Sequence, residues 1–439
     1  MSSDLDTIYA LSSGALPAGV AVVRISGPEA FAACQAIAGA VPQPRRARLM
    51  RLADAEGGAI DTGLVLAFRA PASFTGEDCV EFHLHGGRAV VRAMLDRLSA
   101  MPGMRHAEAG EFTRRAFENG KLDLVEAEGL SDMIVAETEM QRRLAMEQAG
   151  GALSGLYEGW ARELTHARAM IEAELDFSDE EDIPGSVSAT IWDGVAATTE
   201  AIRSHLEGGQ AAEIIRDGYQ VVIAGPPNAG KSSLLNALAR RDIAIVTDVA
   251  GTTRDILEVQ LDIGGYAVRL YDTAGLRETE DVVEAEGVRR ARALAEKAEL
   301  VLLLNDLSEQ MSEASELTDR DCLRIGTKVD MVSGETGGYD LVLSAKTGEG
   351  LDRLIAAIGD RLAVRLGGLS LSLPVRERQR GYLREALTHL EAALAARTLS
   401  PEFPSEALRA AAQSLGRITG RVDVEDLLDV IFSSFCVGK

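Results

Sequence analysis

Gly225-Pro226-Pro227-Asn228-Ala229-Gly230-Lys231-Ser232 has the spacing of a phosphate-binding loop: a glycine, four residues, then Gly-Lys-Ser. Its neighbours fit that spacing. Tyr219 to Ala224 (YQVVIA) is a short β-branched apolar run ending at the first glycine, and Ser233 to Ala239 (SLLNALA) has helical apolar spacing directly after Ser232. The order is therefore strand, loop, helix. Glycines let backbone N–H groups curl around phosphate oxygens, and the helix N-terminus adds its positive end. Lys231 reaches the outer phosphates and Ser232 ligates magnesium, so Asn228, Ala229, Gly230, Lys231, Ser232 and Ser233 are expected to surround a nucleotide phosphate chain.

Three motifs downstream select the nucleotide. Asp272-Thr273-Ala274-Gly275 ends the apolar run Ala267 to Tyr271, placing a carboxylate for the magnesium shell and a glycine N–H for a γ-phosphate. Thr327-Lys328-Val329-Asp330 follows another strand-like run, and Asp330 can accept two hydrogen bonds from a guanine edge that adenine does not offer. Ser344-Ala345-Lys346 follows a third, with backbone donors for the guanine carbonyl. The four motifs in this order predict a GTP-binding domain of the Ras-like P-loop kind. Between the loop helix and the run LEVQLDI, Gly251-Thr252-Thr253-Arg254-Asp255 occupies the place of a first switch, where Thr253 completes the magnesium shell. Leu276 stands where many GTPases keep the glutamine that orients water. Hydrolysis must then be organised differently: either the domain barely hydrolyses GTP alone, or a carboxylate of the acidic second switch (Glu278, Glu280, Asp281, Glu284, Glu286) and a charge from elsewhere substitute.

The 439 residues carry 45 Lys and Arg against 68 Asp and Glu, a net charge of −23. That balance argues against a broad basic face gripping nucleic acid and leaves RNA contact to a local patch or a partner. No apolar stretch reaches membrane length and the N-terminus has no export pattern, so a cytoplasmic protein is expected. The four cysteines (Cys34, Cys79, Cys322, Cys436) form no Cys-x-x-Cys pair, indicating neither a zinc site nor a disulfide framework.

The fold class expected is multidomain: α/β plus all-α. Residues 1–120 read as α+β, with strands at Gly19 to Ser26, Gly63 to Arg69 and Asp78 to Leu84 and a helix over Arg88 to Ala100. His83 and His85 share a strand face, but with no third ligand nearby they read as a strand-end pair beside Gly86-Gly87 rather than a metal site. Residues 121–216 read as helical, with long amphipathic stretches at Leu122 to Leu144 and Leu156 to Leu175. The acidic run Asp176 to Asp182 reads as a solvated loop. The G domain occupies 217–371, with Gly264-Gly265 as a hairpin turn. Helical periodicity returns over 372–439, at Arg376 to Arg397 and Ser405 to Phe432. A helical domain interrupted by an inserted G domain is the simplest organisation.

Motifs outside the G domain carry a more specific resemblance. Val23-Arg24-Ile25-Ser26-Gly27, Phe74-Thr75-Gly76-Glu77-Asp78, Gly110-Glu111-Phe112-Thr113, Asn119-Gly120-Lys121-Leu122-Asp123-Leu124 and the terminal Phe432-Ser433-Ser434-Phe435-Cys436-Val437-Gly438-Lys439 are similar to those of the tRNA-modification GTPase family MnmE, also called TrmE. The resemblance covers essentially the whole chain. It implies a homodimer joined through N-terminal domains that bind 5-formyl- or 5,10-methylene-tetrahydrofolate. It also implies a complex with the FAD-containing protein MnmG that installs an aminomethyl-type group on carbon 5 of the wobble uridine of certain tRNAs.

By the same resemblance the GTPase is potassium-dependent. Asn228, Thr247, Val249 and Thr252 would surround potassium within a nucleotide-contacting stretch Thr247, Asp248, Val249, Ala250, Gly251, Thr252, Thr253, and Glu284 would position the attacking water. The folate pocket would use Arg24, Glu81, Lys121 and Lys439. Cys436 would present a thiol beside it; a buried structural cysteine is the alternative, and a terminal lysine argues against a prenylation box. Two features depart from the family pattern: Thr327 stands where asparagine is common, and Ala15-Leu16-Pro17-Ala18-Gly19 is less glycine-rich than the usual entry to Val-Arg-Ile-Ser-Gly. The rival function is an RNA-binding ribosome-assembly GTPase, which should carry a basic or KH-like appendage not seen in this sequence.

Overall fold

The computed structural model describes residues 6–176, 188–245, 258–272, 298–309, 321–332, 337–368, 370–422, 425–433 and 435–438. Two compact units divide the chain: Met1–Ser131 with Ser154–Ala161 and Ala412–Lys439, and Asp132–Leu153 with Arg162–Ala411. Among the described residues no helix is long and apolar enough to cross a membrane.

In the first unit, alternation of apolar and polar residues generates a half-buried sheet. Its strands are β1 (Thr7–Leu11), β2 (Ala18–Ser26), β3 (Arg48–Ala53), β4 (Ala59–Phe68), β5 (Cys79–Gly86) and β6 (Met104–His106). Their order is β3-β4-β5-β2-β1-β6, antiparallel except for the β1–β6 pair. The expected strands all form, whereas β1, β3 and β6 were not singled out in the sequence. Because successive side chains point to opposite faces, Val23, Ile25, Val80, Phe82 and Val65 enter one core, which also includes Ala30, Ile37, Met94 and Leu98 from the helices Ala30–Ala38 and Arg88–Ser99. Arg24 and Glu81 fall on the other face, directly opposite each other in the β2–β5 register.

The C-terminal segment completes this unit. Phe432 and Phe435 pack with Leu124, Ala127 and Leu428. Val437 bridges Ala109, and Ser12 Oγ donates to the Gly438 carbonyl at 2.7 Å. Gly438 has φ 94°, and a Cβ there would collide with the Leu11 carbonyl oxygen, so the close approach of the tail to β1 requires glycine.

The second unit contains an open α/β sheet. β7 (Tyr219–Ala224), β9 (Tyr266–Asp272), β10 (Leu300–Asp306), β11 (Cys322–Thr327) and β12 (Leu341–Val342) run parallel, and β8 (Glu258–Ile263) closes the edge antiparallel to β9. The order is β12-β11-β10-β7-β9-β8. Parallel strands covered on both faces read as near-continuous apolar runs, as in LVLLLND of β10, where six of seven residues are buried. Leu234, Leu235 and Leu238 of the helix Lys231–Ala239 and Leu354, Ile358 and Leu362 of the helix Leu351–Leu366 join the sheet core.

Two expected helical runs are broken. Leu122 to Leu144 becomes Leu124–Val135 and Glu139–Ala149. The second of these starts where Gln141 Oε1 accepts the Glu137 and Thr138 N–H groups at 2.9 and 3.0 Å. Met140 N there donates to the Gly265 carbonyl of the β8–β9 turn at 3.0 Å, and Gln260 Nε2 to Glu137 Oε2 at 2.6 Å. Ser405 to Phe432 likewise divides into Glu402–Thr419 and Glu425–Ser433, separated after Gly420, a poor helix former. Of the acidic run, residues 177–182 lie outside the described residues.

Candidate functional site

In open α/β sheets, ligands bind beyond the carboxyl ends of the strands, and the predicted nucleotide motifs converge there. β7 ends at Ala224 and the chain enters the loop at Gly225 (φ 144°), where a Cβ would collide with the Leu304 carbonyl oxygen of β10. Asn228 takes a left-handed backbone conformation (φ 65°) and is exposed. Lys231 is 9% exposed, and its ammonium donates to the Gly225 and Pro226 carbonyls at 2.8 Å each, turned over the loop it would share with phosphate. Ser232 Oγ donates to Asp272 Oδ2 at the end of β9 across 2.7 Å.

The motif expected to read the base follows β11. Thr327, 3% exposed, directs its hydroxyl to the Ala229 carbonyl of the phosphate loop at 2.8 Å and the Asn305 carbonyl of β10 at 3.1 Å. A threonine thus ties base loop to phosphate loop through a short side chain, and the departure from asparagine leaves that connection intact. Lys328 (φ 61°) and the exposed Asp330 come next. The Lys328 ammonium forms an ion pair with Asp306, the last residue of β10. Burial alone would raise the Asp306 carboxyl, but hydrogen bonds from Lys328 and Ser308 outweigh it and hold the group below the usual carboxylate range. Val329 N donates to the Leu343 carbonyl at 3.3 Å, joining this loop to Ser344-Ala345-Lys346. The Ser344 N–H is committed to the Glu349 carbonyl at 2.9 Å.

A second group assembles in the first unit. Arg24 Nε donates to Glu81 Oε1 at 3.0 Å, and the guanidinium lies 5.4 Å from the Phe74 ring centroid and 5.7 Å from that of Phe112. His83 Nε2 is 3.4 Å from Glu81 Oε2, while His85 pairs instead with Asp61 at 2.9 Å. The Lys121 ammonium donates to the Pro71 carbonyl at 2.9 Å. Cys436 is exposed, which removes the buried structural alternative, and its carbonyl accepts the Gly110 N–H at 3.3 Å.

Comparison with known proteins bears on both groups. The family model described as MnmE helical domain matches residues 124–436, and that described as GTP-binding protein TrmE N-terminus matches 7–121. The chain is 58% identical to the tRNA modification GTPase MnmE of Rhizobium meliloti over 99% of both chains, and 55% identical to that of Agrobacterium fabrum over 100% of both. The chain belongs to the MnmE family of tRNA modification GTPases. Among solved structures it is similar to Era of Aquifex aeolicus (22% identity, 42% of this chain and 69% of that chain, TM-score 0.27). It is also similar to the G domain of the T. maritima FeoB iron transporter (26%, 34% and 97%, TM-score 0.24).

Within this MnmE-family chain the structure brings together Asn228 to Ser233, Asp272, Thr327 to Asp330 and Ser344 to Lys346. The oxygen donors of Ser232 and Asp272 suit a hard divalent cation such as magnesium. Thr247, Asp248, Val249, Ala250, Gly251, Thr252, Thr253, Thr273, Ala274, Gly275, Glu284 and Lys439 lie outside the described residues. Asp306 and the β10 carbonyl of Asn305 were missed in the sequence, and Phe74 was quoted there only within a family motif, without its contact to Arg24. The available signal was the polar pair Asn305-Asp306 closing an apolar run.

Proposed function

We propose that this GTPase of tRNA modification is potassium-activated and works with an FAD-bearing partner of the MnmG kind. The complex attaches a carboxymethylaminomethyl-type group to carbon 5 of the wobble uridine, using a one-carbon unit from 5-formyl- or 5,10-methylene-tetrahydrofolate. It acts in the cytoplasm as a homodimer and meets tRNA mainly through the complex. The domains are 1–120 for folate and dimerisation, 217–371 for GTP, and 121–216 with 372–439 as the helical domain.

The observation that carries the folate reading is the Arg24–Glu81 pair flanked by Phe74 and Phe112. A carboxylate accepts from the amino edge of a pterin, a guanidinium binds carboxylate or carbonyl oxygen, and an aromatic ring covers a heterocycle face. Gly438 packs on Leu11, and Ala10 lies opposite Arg24, which supports a C-terminal tail, with Cys436, near this group. Bound tetrahydrofolate would supply the one-carbon unit. The chain's own residues orient it, with Lys121 and Lys439 as further cations.

At the nucleotide site Lys231 binds the outer phosphates, Ser232 and Thr253 hold magnesium, and Asp330 reads guanine. Bound magnesium would neutralise phosphate charge, and Asn228, Thr247, Val249 and Thr252 would hold a potassium ion supplying the positive charge that an arginine finger supplies elsewhere. Glu284 positions water in place of a glutamine, since Leu276 has no polar group to do so.

Reconstitution tests the proposal: purified protein, an MnmG-type partner, GTP, methylene-tetrahydrofolate and undermodified tRNA, assayed by nucleoside analysis in potassium and in sodium. Modified wobble uridine dependent on folate, with faster GTP turnover in potassium, is expected. Unmodified tRNA removes the folate and partner reading, and equal turnover in both salts at saturating GTP removes the potassium assignment.

A further inference from the structure

We propose that Asp306 is a positioning residue for guanine binding: it anchors the Lys328 ammonium, so that the lysine stem is laid out beside Asp330 as a cover for one face of the base. The assignment rests on the base-reading role proposed for Thr327 to Asp330.

The carboxylate is built to be a fixed anchor. Asp306 is 5% exposed at the carboxyl end of β10, next to the strand that leads into the phosphate loop. Its Oδ1 accepts the Ser308 N–H at 2.9 Å and the Ser308 hydroxyl at 2.6 Å, leaving Oδ2 for Lys328. A carboxylate whose two oxygens have separate partners has one orientation, and burial strengthens its attraction for an ammonium. Lys328, by contrast, keeps 35% of its side chain exposed while its charged end is held.

The backbone points to the same role. A lysine at φ 61° holds a left-handed conformation that costs free energy for a residue with a Cβ, and such positions persist where the surroundings over-determine them. Here three contacts do so: the Thr327 hydroxyl on Ala229, the Val329 N–H on the Leu343 carbonyl, and the Asp306 pair. Asp330, two residues on and exposed, can read only the edge of a purine. A purine also has two faces, and a methylene chain stretched between a fixed backbone and a fixed ammonium offers apolar cover with a cation at its end. Released from Asp306, the same lysine would lose that order and GTP binding would carry the entropy of restoring it.

The test is a double-mutant cycle on the full chain: Asp306→Ala, Lys328→Ala, the pair together, and Asp306→Asn. The readouts are Kd for GDP, and KM and kcat for GTP. Roughly tenfold weaker GDP binding is expected for Asp306→Ala, on the scale of one lost buried charge-assisted hydrogen bond. Lys328→Ala should weaken binding at least as much, the double variant no more than Lys328→Ala alone, and kcat at saturating GTP should change less than KM. Asp306→Asn keeps an acceptor for the ammonium and should recover part of the affinity; it also serves if the alanine variant fails to fold. Penalties that add in the double variant would overturn the proposal, as would unchanged GDP affinity in Asp306→Ala beside a weakened Lys328→Ala. Wild-type affinity in Lys328→Ala would overturn it together with the base-reading role of that lysine.

Discussion

Ser232 Oγ donates to Asp272 Oδ2 across 2.7 Å, closing the end of β9 onto the first turn of the helix Lys231–Ala239. Asp272 is 6% exposed, and its carboxylate holds the hydroxyl of the half-buried Ser232. A cation ligated by that hydroxyl would be oriented by the carboxylate behind it. Asp272→Asn is therefore expected to raise the magnesium concentration needed for half-maximal GTP hydrolysis by about 10–100-fold, as losses of such supporting groups do. A magnesium titration of turnover measures it, and an unchanged midpoint would take Asp272 out of the metal's surroundings.

Asp330→Asn should weaken GTP binding and favour xanthosine nucleotides. The amide can donate to the carbonyl that replaces the guanine amino group, and discrimination by paired buried hydrogen bonds reaches roughly 10⁴-fold. Competition between GDP and xanthosine diphosphate is the measurement. Persistent guanine preference would mean that Thr327 to Asp330 does not read the base.

Cys436→Ser should leave GTP turnover intact while abolishing or strongly reducing tRNA modification with the partner present. The tail is docked through main-chain atoms, the Cys436 carbonyl on Gly110 and the Gly438 carbonyl on Ser12, so serine keeps it in place. What changes is the nucleophile: cysteine has a few per cent thiolate at neutral pH and serine almost no alkoxide. Normal yield of modified uridine would reduce Cys436 to a surface residue.

Burial pulls the His205 imidazole down from 6.5 to about 4. The unfolded chain therefore takes up a proton at a pH where the folded chain does not. Stability from this group is fully present above pH 6.5 and is lost as pH falls toward 4. His205→Gln removes that loss. The Tm of the variant relative to the parent should rise on going from neutral to mildly acid solution, by roughly 2–4 °C for each kcal/mol recovered. A Tm difference that stays constant with pH would show that His205 is protonated alike in both states.

The phosphate loop was legible in the sequence because its chemistry is local: the wrapped backbone needs glycine at fixed offsets, and the strand Tyr219–Ala224 and the helix from Lys231 form where the apolar periodicity places them. The same holds for the Gly264-Gly265 hairpin and for the strands β2, β4 and β5. The break at Thr138 was not legible, since apolar spacing runs through it; helix propensity was overridden where Glu137 and Met140 meet the β8–β9 hairpin. β3, an edge strand whose sequence RLMRLA lacks period-two alternation, gains its identity from pairing with β4. Sequence alone therefore determined the P-loop domain, the order of its motifs and the family to which the chain belongs. Tertiary structure alone decided which of those residues touch. Arg24 faces Glu81 through strand register, and Asp306 meets Lys328 across adjacent strands. Partners 57 and 22 positions apart are joined by loop closure and burial, which leave no periodic trace in the chain between them.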